Sequence, residues 1–562
     1  MLDLYCQLRR HAAALVLVVV CCASAIAAPA PQNAAIASAH PLATAAGRTI
    51  LGQGGNAFDA AVAVAAALAV VEPYSSGLGG GGFFLLHRAS DGYQTMVDAR
   101  ETAPSGVTRS QYFDEQGRPR PNATTRGGTA AAIPGTPAAL AHLALRYGRL
   151  PLAATLAPAI RLAADGFDVD PRFVQIAKMR EKFLQSGAGT DVFLDRGKAP
   201  EAGFLLKQPD LAATLTRLAR EGARGFYQGP VARAMLDAVN RAGGAWRAAD
   251  LEQYAIQERQ PVRFTYRGAR ITAAALPSAG GVALAQSLAI LENFKPGPIG
   301  EPAEDHLVVE ALRRAFQDRE RYLGDPEFAH PPLDRLVSGA YAQQRAAGID
   351  PNRATASAAL GGREPAARAH STNTTHFSIV DGEGNRVAAT VTINLLFGSG
   401  IVAPGTGVLL NNEMDDFTLG DAPNAFLLRG GAANRIEPRK RPLSSMTPTF
   451  VEDEKGVLVL GAPGGSRIVS QVLLATLAYL DTPEVDLARI VALPRYHHQF
   501  WPDRVEVEPQ GFSNEWRAAM RAKGHEIAIS SRRWGNMQAV FRAKNGAVQA
   551  ASDPRGEGVA WY

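Results

Sequence analysis

Residues Ser371–Asp381, STNTTHFSIVD, mark the point at which the character of the chain changes. The residues before this stretch, Ile349–Arg368, are rich in Ala, Gly, Arg and Pro and show no periodicity, which is typical of a loose connection. From Thr375 onward polar and apolar residues alternate, which predicts a β-strand. This abrupt start raises the question of why two threonines stand at the beginning of a strand in the middle of the chain.

The predicted strand has a return partner that fixes its register. Apolar residues recur at every second position of RVAATVTIN, and Gly382–Gly384 supplies a three-residue loop with a glycine for the positive-φ position. With that loop, Phe377 lies opposite Ala389 and Ile379 lies opposite Val387, so one face of the hairpin is wholly apolar. A slip of one residue would mix the two faces, so the pattern selects this register.

The same register places Thr374 directly opposite Thr392, with Asn394 and His376 on the same polar face, and turns Thr375 toward the core. A threonine that begins a chain can act as a nucleophile, because its own α-amine, with a pKa of about 7.7–8.0, can serve as the base. Thr374 therefore becomes a candidate nucleophile if the bond before it is cut. An ordinary hairpin with a cross-strand threonine pair is the alternative.

Length and composition set limits on the kind of protein. The chain has 562 residues, of which 46% are hydrophobic and 20% charged, so it can bury a large core in one to three domains. The formal net charge is only +5 and the basic residues are scattered, which gives no reason to expect a nucleic-acid partner.

The N-terminus has the pattern of an export signal. Arg9 and Arg10 precede the apolar run AAALVLVVVCCASAIAA, and Ala25–Ala27 form a small-residue cleavage site. We therefore expect a signal peptide over residues 1–27 and a periplasmic or secreted protein; an uncleaved membrane anchor is the alternative. The signal would contain all of the cysteines: Cys6, Cys21 and Cys22. The mature chain would then have neither a disulfide nor a thiol nucleophile.

The rest of the chain predicts a layered α/β domain. The pattern is helical from Ile36 to Pro73, with Asn56 as the N-cap. The glycine-rich stretch SSGLGGGGFFLLH then predicts a close backbone approach inside a sheet. Residues 134–260 are mainly helical in pattern, and short strands dominate after the loose connection as far as Gly461.

A set of motifs in family order resembles the γ-glutamyltranspeptidases, which are N-terminal-nucleophile hydrolases. The motifs are GGNAFDAAVAVAAALAVVEP, GLGGGGF, DARETAP, PSAGG, YLGDPEF, TTHFSIVDGEGN, LNNEMDDF, RPLSSMTPT, GAPGGSRI and SDPRGEG. The resemblance implies a four-layer αββα sandwich forming one domain from two chains. Self-cleavage between Asn373 and Thr374 would give a large subunit, 28–373, with a flexible linker over about 349–373, and a small catalytic subunit, 374–562.

The resemblance also implies how acyl transfer would proceed. Thr374 would attack the γ-carbonyl of a γ-glutamyl compound such as glutathione, and Thr392 would hydrogen-bond the attacking residue. The backbone amides of Gly464 and Gly465 would stabilise the oxyanion of each tetrahedral intermediate. The resulting acyl-enzyme would pass its acyl group to water or to the amine of an amino acid or peptide.

The α-amino-acid end of the substrate requires its own partners. Arg100 matches the carboxylate-binding arginine of the family and suits a planar two-oxygen partner, and Ser444 and Ser445 would add hydroxyl donors. The resemblance implies three acceptors for the ammonium group: Asn394, Glu413 and Asp416. Asp415 matches no direct ligand position, and NNEMDDF by itself is more typical of a solvated acidic turn.

Two aromatic residues and two histidines complete the candidates. Phe426 falls in a predicted lid loop where some members of the family have tyrosine, and Trp534 is a candidate for lining the acceptor side or for a buried anchor. His497 and His498 would face opposite sides of a strand, which argues against a metal site. The mechanism implied by the resemblance uses no metal or organic cofactor.

The sequence is compatible with three functions. The main prediction is a self-processing γ-glutamyltransferase and glutathione hydrolase. The first alternative is a related acylase of the glutaryl-cephalosporin type, and Asn394, Glu413 and Asp416 argue against it because they would bind an α-amine that a glutaryl group lacks. The second alternative, an uncut periplasmic binding protein, is disfavoured by the presence of both Thr374 and Thr392.

Overall fold

A computed structural model of the protein describes residues 33–187, 189–362 and 373–562. The predicted signal peptide, residues 1–27, lies outside the described residues, as do residues 363–372 of the predicted linker. Among the helices of the described ranges, none combines the length and apolar character needed to cross a membrane.

Most strands belong to two antiparallel sheets. The strands are β1 Ala35–Ser38, β2 Gly81–Arg88, β3 Tyr93–Ala99, β4 Phe167–Asp168, β5 Leu205–Leu206, β6 Gln257–Arg259, β7 Val262–Tyr266, β8 Ala269–Ala273, β9 Thr375–Val380, β10 Arg386–Thr392, β11 Val402–Ala403, β12 Val408–Leu409, β13 Thr449–Glu452, β14 Gly456–Gly461, β15 Tyr496–His497, β16 Val505–Val507, β17 Ile527–Ile529, β18 Gln538–Ala543, β19 Val548–Ser552 and β20 Val559–Trp561. The first sheet has the order β20-β1-β9-β10-β2-β3-β6, and the second has the order β19-β18-β14-β13-β8-β7.

Helices cover the outer face of each sheet. They are α1 Pro41–Gly52, α2 Ala57–Val71, α3 Arg109–Tyr112, α4 Thr136–Arg146, α5 Leu152–Asp165, α6 Pro171–Gln185, α7 Thr190–Phe193, α8 Pro209–Glu221, α9 Arg224–Tyr227, α10 Gly229–Arg241, α11 Ala248–Glu252, α12 Gly280–Leu291, α13 Pro302–Tyr322, α14 Leu333–Leu336, α15 Gly339–Ala346, α16 Arg467–Asp481, α17 Leu487–Ala492 and α18 Asn514–Ala522. Short 3₁₀ turns lie at Gly128–Ala130, Ser357–Leu360, Glu413–Asp416 and Ala432–Asn434.

The layers follow the order helix, sheet, sheet, helix. Helices α1, α2 and α4 pack on the first sheet, whereas α12 and α16 pack on the second, and β1, β9 and β10 contact β14 or β18 across the interior. Each helical layer shares a hydrophobic core with its own sheet. The predicted four-layer αββα sandwich is confirmed.

The hairpin formed by β9 and β10 has the predicted register. Phe377 pairs with Ala389 and Ile379 with Val387, and these four side chains join the core under the helices. The opposite face of the hairpin, although polar, is also buried, because it lies between the sheets. There His376 Nδ1 lies 2.8 Å from Thr390 Oγ1, and burial lowers the pKa of His376 to about 3.

Strand β1 was not predicted from the sequence. The pattern predicted helix from Ile36 onward, but Ala35–Ser38 form β1, which pairs with β9 on one side and β20 on the other. The prediction is wrong here because four small or apolar residues carry no periodicity, and long-range pairing decides their structure. The predicted helix that follows is confirmed, with Asn56 capping α2 through Phe58 N and Asp59 N.

The glycine-rich stretch allows close packing of backbones, as predicted. A Cβ atom at Gly80 would lie 2.0 Å from the carbonyl oxygen of Thr392, and one at Gly82 would lie 2.4 Å from that of Thr390. Only glycine permits such an approach. The run therefore brings β2 against β10, whose last residue faces the candidate nucleophile.

The described part of the predicted linker is packed. Residues 349–362 include the 3₁₀ turn Ser357–Leu360, and Ser357 Oγ donates to the carbonyl of Phe500 at 2.7 Å. The backbone amide of Thr355 donates to buried Glu310 at 3.1 Å. The structure thus differs from a loose chain as far as residue 362, because the Glu310 side chain of α13 and the Phe500 carbonyl after α17 hold this segment.

Candidate active site

Thr374 stands immediately before β9, at the end of the sheet where the glycine-rich stretch begins. Its Oγ1 lies 3.2 Å from Thr392 Oγ1, and the backbone amide of Asn394 donates to the Thr392 hydroxyl at 2.8 Å. Asn394 adopts a φ of 72°, a left-handed conformation that is uncommon for a residue other than glycine. The predicted pairing of the two threonines is therefore observed, and Asn394 orients the second one.

The peptide bond before Thr374 is held firmly. The Asn373 side chain donates to Tyr74 O at 3.0 Å and to Ser75 Oγ at 2.6 Å, and the hydroxyl of Thr374 contacts the carbonyl oxygen of Asn373. A hydroxyl beside the preceding carbonyl is the starting arrangement for attack on that carbonyl.

A small pocket extends from Thr374 and gathers most of the predicted site residues. Its volume is about 20 Å³ while Arg100 contacts Glu413 and Asp416. A ligand larger than about one water molecule must therefore separate these ion pairs to enter. The predicted residues that line it are Arg100, Thr374, Thr392, Asn394, Glu413, Asp416, Phe426, Ser444, Ser445 and Gly465. These residues come from both sides of the predicted cleavage point and lie far apart in the sequence.

Arg100 is fully buried and pairs with the acidic residues in the pocket. Its guanidinium contacts Glu413, lies 2.5 Å from Asp416 Oδ2 and donates through Nε to the Pro442 carbonyl at 3.1 Å. Glu413 and Asp416 lie three residues apart on one 3₁₀ turn, which places them on the same side. Asp415 points away and accepts from Thr124 Oγ1 at 2.8 Å.

Burial and ion pairing have opposite effects on the pKa values of the residues in this cluster. Burial raises the pKa of Glu413 and of Asp416, and the neighbouring charge of Arg100 works against that rise. Burial would lower the pKa of Arg100, but Glu413 and Asp416 raise it above its ordinary value. The guanidinium is therefore always charged, and it keeps one full positive charge at the base of the pocket.

The serines differ in their availability. The hydroxyl of Ser444 accepts a hydrogen bond from Met446 N at 3.1 Å, whereas the buried hydroxyl of Ser445 has no hydrogen-bond partner among the described residues. Buried hydroxyls without partners are costly. Ser445 is therefore the serine whose hydrogen-bonding capacity is left for a ligand.

Gly464 and Gly465 present backbone amides beside the nucleophile. Both have positive φ, 133° and 60°, and neither amide donates to another described group. Gly464 lines an adjacent cleft that Thr374 shares, while Gly465 lines the pocket. Such free amides meet the requirement of an oxyanion site.

The two aromatic candidates lie on different sides of the nucleophile. The Phe426 ring covers Gly465 so closely that a Cβ atom added at Gly465 would lie 2.5 Å from the ring. Gln499 Nε2 donates to the Phe426 carbonyl at 3.0 Å. Trp534 lines the adjacent cleft, with the Arg467 guanidinium 5.2 Å from its ring centroid. The side chains of Phe426 and Trp534 are both largely buried.

His497 and His498 bind protein groups. His497 contacts Ser470 Oγ at 2.6 Å and Gln499 Oε1 at 2.8 Å, and His498 lies 3.3 Å from Asp503. Burial lowers the pKa of His497 to about 3 and that of His498 to about 4. These neutral side chains therefore act as hydrogen-bonding groups of the core.

Two charged residues of the site were missed by the sequence analysis. Glu101 is fully buried beside Arg100, and burial raises its pKa to about 7. Arg319 on α13 lines the pocket and makes no ion pair within 4 Å to a described residue, although its charge lowers the pKa of Asp416. Glu101 stands inside the quoted motif DARETAP, but Arg319 lies in a helix of mixed charge that offers no such signal.

The fold and this arrangement define an N-terminal-nucleophile hydrolase. A family profile described as gamma-glutamyltranspeptidase matches residues 43–562, and the chain belongs to that family. A glutathione hydrolase proenzyme of Escherichia coli (strain K12) is 40% identical to this chain, and the match covers 92% of this chain and 90% of the length of that proenzyme.

Acylases are also similar to this chain. An acylase ACY 1 proenzyme of Pseudomonas sp. (strain V22) is 37% identical to this chain, and the match covers 92% of this chain and 91% of the length of the acylase. The crystal structure of a cephalosporin acylase from Bacillus halodurans superposes with a TM-score of 0.82 at 28% identity, covering 95% of this chain and 96% of the other. The proteins similar to this chain therefore include some named glutathione hydrolases and others named acylases.

Proposed function

We propose that the protein is a self-processing γ-glutamyltransferase and glutathione hydrolase whose nucleophile is Thr374. The observation that carries the proposal is the position of Thr374 between free glycine amides and a pocket with an arginine facing two carboxylates. Such a pocket offers a cation to an α-carboxylate and anions to an α-ammonium group, and these are the two charged ends of a γ-glutamyl group.

Self-processing begins at the hydroxyl of Thr374. Oγ1 attacks the carbonyl carbon of Asn373, the peptide C–N bond breaks, and the proton moves to the departing nitrogen. The ester that forms is hydrolysed by water to the carboxylate of Asn373 and the free hydroxyl of Thr374. The contact of Thr374 with its preceding carbonyl and the clamped side chain of Asn373 support this step.

The freed α-amine then serves as the base in turnover. It accepts the hydroxyl proton while Oγ1 attacks the γ-carbonyl of the donor, and the Gly464 and Gly465 amides hold the oxyanion. The leaving amine takes the proton and departs, which leaves an acyl ester on Thr374. Water or the amine of an amino acid or peptide then releases the γ-glutamyl group.

A denaturing gel and N-terminal sequencing test the cleavage. We expect two chains, the shorter beginning at Thr374, and a single uncut chain for Thr374→Ala. The matched control is Thr375→Val, because Thr375 is buried on the other side of the strand and should permit normal cleavage. A shorter chain that begins elsewhere, or normal cleavage of Thr374→Ala, would overturn the proposal.

The similarity to acylases gives a second candidate function, the hydrolysis of glutaryl amides. A glutaryl group supplies a carboxylate to Arg100 but no ammonium to Glu413 and Asp416. Those buried carboxylates would lose their partner without replacement, which is costly. We therefore expect γ-glutamyl-4-nitroanilide to be cleaved much faster than glutaryl-4-nitroanilide, and the reverse preference would favour the acylase.

We also propose that the protein is exported. The basic residues, apolar run and small-residue site within residues 1–27 support this proposal. Cell fractionation should find the processed chains in the periplasm or medium, and their retention in the cytoplasm would refute it.

A further inference from the structure

Residues 424–428 form a short turn, here called the lid turn, at the wall of the pocket beside Thr374. Phe426 and Leu428 of this turn line the pocket, and the Phe426 ring lies directly over Gly465. The lid turn therefore bounds the space that a γ-glutamyl group would occupy. The groups that hold this turn in place should affect how tightly that group is bound.

One side of the lid turn is held by the acidic residues of the site. Asn424 Nδ2 donates to Asp416 Oδ1 at 3.1 Å, and Asn424 Oδ1 accepts from the backbone amide of Phe426 at 3.0 Å. The backbone amide of Ala425 donates to Asp415 at 2.9 Å. These hydrogen bonds all lie at the beginning of the turn, so the carbonyl side of Phe426 needs a different support.

That support comes from Gln499, a buried residue in the segment after β15. Its Nε2 donates to the carbonyl oxygens of Phe426 and Trp501, both at 3.0 Å. Its Oε1 accepts from Ser466 Oγ at 2.6 Å and lies 2.8 Å from His497 Nε2. The side-chain amide therefore uses both of its donors and both of its acceptor positions.

These partners fix the orientation of the amide. A backbone carbonyl can only accept, so the group that faces Phe426 and Trp501 must be the NH₂. His497 is neutral because burial lowers its pKa to about 3, and its Nδ1 lies 2.6 Å from Ser470 Oγ. A neutral imidazole donates through one nitrogen only, so His497 donates from Nε2 to Gln499 and accepts at Nδ1. Gln499 thus presents an N–H to the lid turn in a single orientation.

Side chains do not fill the space between the lid turn and Gln499. A cavity of about 60 Å³ lies there, and its lining includes Ala425, Phe426, Leu427, Ser466, His497 and Gln499. The hydrogen bond from Gln499 therefore links parts of the chain that are not closely packed. Because Ser466 directly follows Gly465, the same glutamine connects the lid turn to the segment that carries the oxyanion amides.

We infer that Gln499 is a positioning residue that holds the lid turn closed over a bound γ-glutamyl group. The inference rests on the proposed function and adds a residue that acts through Phe426. Phenylalanine has no hydroxyl with which to fasten the turn, so its carbonyl and its ring are the groups that can be held. Without the Gln499 hydrogen bond the closed arrangement loses stability, and a ligand that needs it is bound less tightly.

The inhibition constant of L-glutamate against γ-glutamyl-4-nitroanilide tests the inference, because L-glutamate is the product of hydrolysis and requires only this pocket. Gln499→Met keeps the length of the side chain and removes the amide. We expect it to raise the inhibition constant about 2- to 13-fold, the range for one neutral hydrogen bond. Gln499→Glu keeps an acceptor for Ser466 but cannot offer two N–H donors, and it should raise the constant as well.

Gln208→Met is the matched control. Gln208 is also buried, and its Nε2 donates to the backbone carbonyl of Val70 at 2.8 Å, but Gln208 does not line the pocket. This substitution removes a comparable hydrogen bond elsewhere in the fold. We therefore expect it to leave the inhibition constant unchanged.

A second comparison separates a role through the lid turn from a general effect on the fold. In a Phe426→Ala chain the ring no longer covers Gly465, so adding Gln499→Met should change the inhibition constant little further. A glutamine that only stabilised the fold would raise the constant by the same factor with and without the ring, because independent effects multiply.

The outcomes separate the inference from the proposed function. Cleavage into two chains shows that a variant folds, and a rise in the inhibition constant confined to chains with the Phe426 ring supports the inference. An unchanged constant in both Gln499 variants, or an equal rise with and without the ring, would overturn the inference and leave the proposed function intact. Absence of cleavage in both Gln499 variants would also overturn it, because Gln499 would then be required for the fold itself. Failure of the processed, unsubstituted enzyme to cleave γ-glutamyl-4-nitroanilide would overturn the proposed function, and the inference with it.

Discussion

The hydroxyl of Thr392 makes two contacts that one substitution can remove together. It lies 3.2 Å from the hydroxyl of Thr374 and accepts the backbone amide of Asn394 at 2.8 Å. Thr392→Val keeps the shape of the side chain and deletes both contacts. Thr392→Ser keeps the hydroxyl and deletes only a methyl group, so it is the matched control.

The two contacts predict effects on different quantities. A neutral hydrogen bond contributes about 0.5–1.5 kcal/mol, so loss of the contact with Thr374 should lower kcat about 2- to 13-fold. The amide of Asn394 would be left buried without an acceptor, which costs about 1–3 kcal/mol of stability. Asn394 depends on such support because its φ of 72° is unfavourable for a residue with a side chain.

Two assays measure these effects separately. The first is kcat on γ-glutamyl-4-nitroanilide for the processed enzyme, together with the rate at which precursor is cut. The second is urea unfolding of Thr392→Val made in the Thr374→Ala chain, which stays uncut and no longer has the hydroxyl–hydroxyl contact. Equal kcat and equal urea midpoints for Thr392→Val and Thr392→Ser would refute the reasoning.

Three further predictions concern the pocket. Asp416→Asn should lower kcat/KM for γ-glutamyl-4-nitroanilide by about 10- to 150-fold, which corresponds to the loss of a hydrogen bond to a charged group. The kcat/KM for glutaryl-4-nitroanilide should fall much less, and equal falls for the two substrates would contradict the role of Asp416 in binding the ammonium group. Arg319→Met should move the acidic limb of the pH profile of kcat/KM to higher pH. The reason is that Asp416 must be ionised to bind an ammonium group, and the charge of Arg319 lowers the pKa of Asp416. A shift to lower pH, or no shift, would contradict this prediction. Gly465→Ala should lower kcat at least about tenfold, because the added Cβ would lie 2.5 Å from the Phe426 ring. The clash would displace the Gly465 amide, an oxyanion donor worth about 2.7–4 kcal/mol. Adding Phe426→Ala to the same chain should recover part of the lost kcat.

The hairpin shows how much of the site follows from local pattern. Alternation and a three-residue loop were enough to place Thr374 opposite Thr392, because the side-chain period of a strand is two and one register alone keeps an apolar face. The structure confirms that register. It also shows how the polar face can be buried, since His376 and Thr390 hydrogen-bond to each other between the sheets.

Other parts of the site depend on tertiary contacts that leave no local signal. Strand β1 consists of four residues whose identity is compatible with a helix, and only its pairing with β9 and β20 makes it a strand. Arg319 reaches the pocket from α13, where its neighbours in sequence are ordinary charged residues. The six arginines that line the cleft beside Thr374 likewise come from five separate segments, so arginines scattered in the sequence become a cluster only in the fold.

A zwitterion can join the ion pairs of Arg100, Glu413 and Asp416 without changing the net charge of the pocket. Arg100 pairs with Glu413 and Asp416. A γ-glutamyl group brings one carboxylate and one ammonium, so Arg100 can exchange its acidic partners for the carboxylate while those acids pair with the ammonium. The charges on Arg100, Glu413 and Asp416 then each keep a partner, which avoids the penalty of an uncompensated ion. A ligand with only one of the two charges breaks this exchange, and the selectivity of the pocket for α-amino acids follows from that asymmetry.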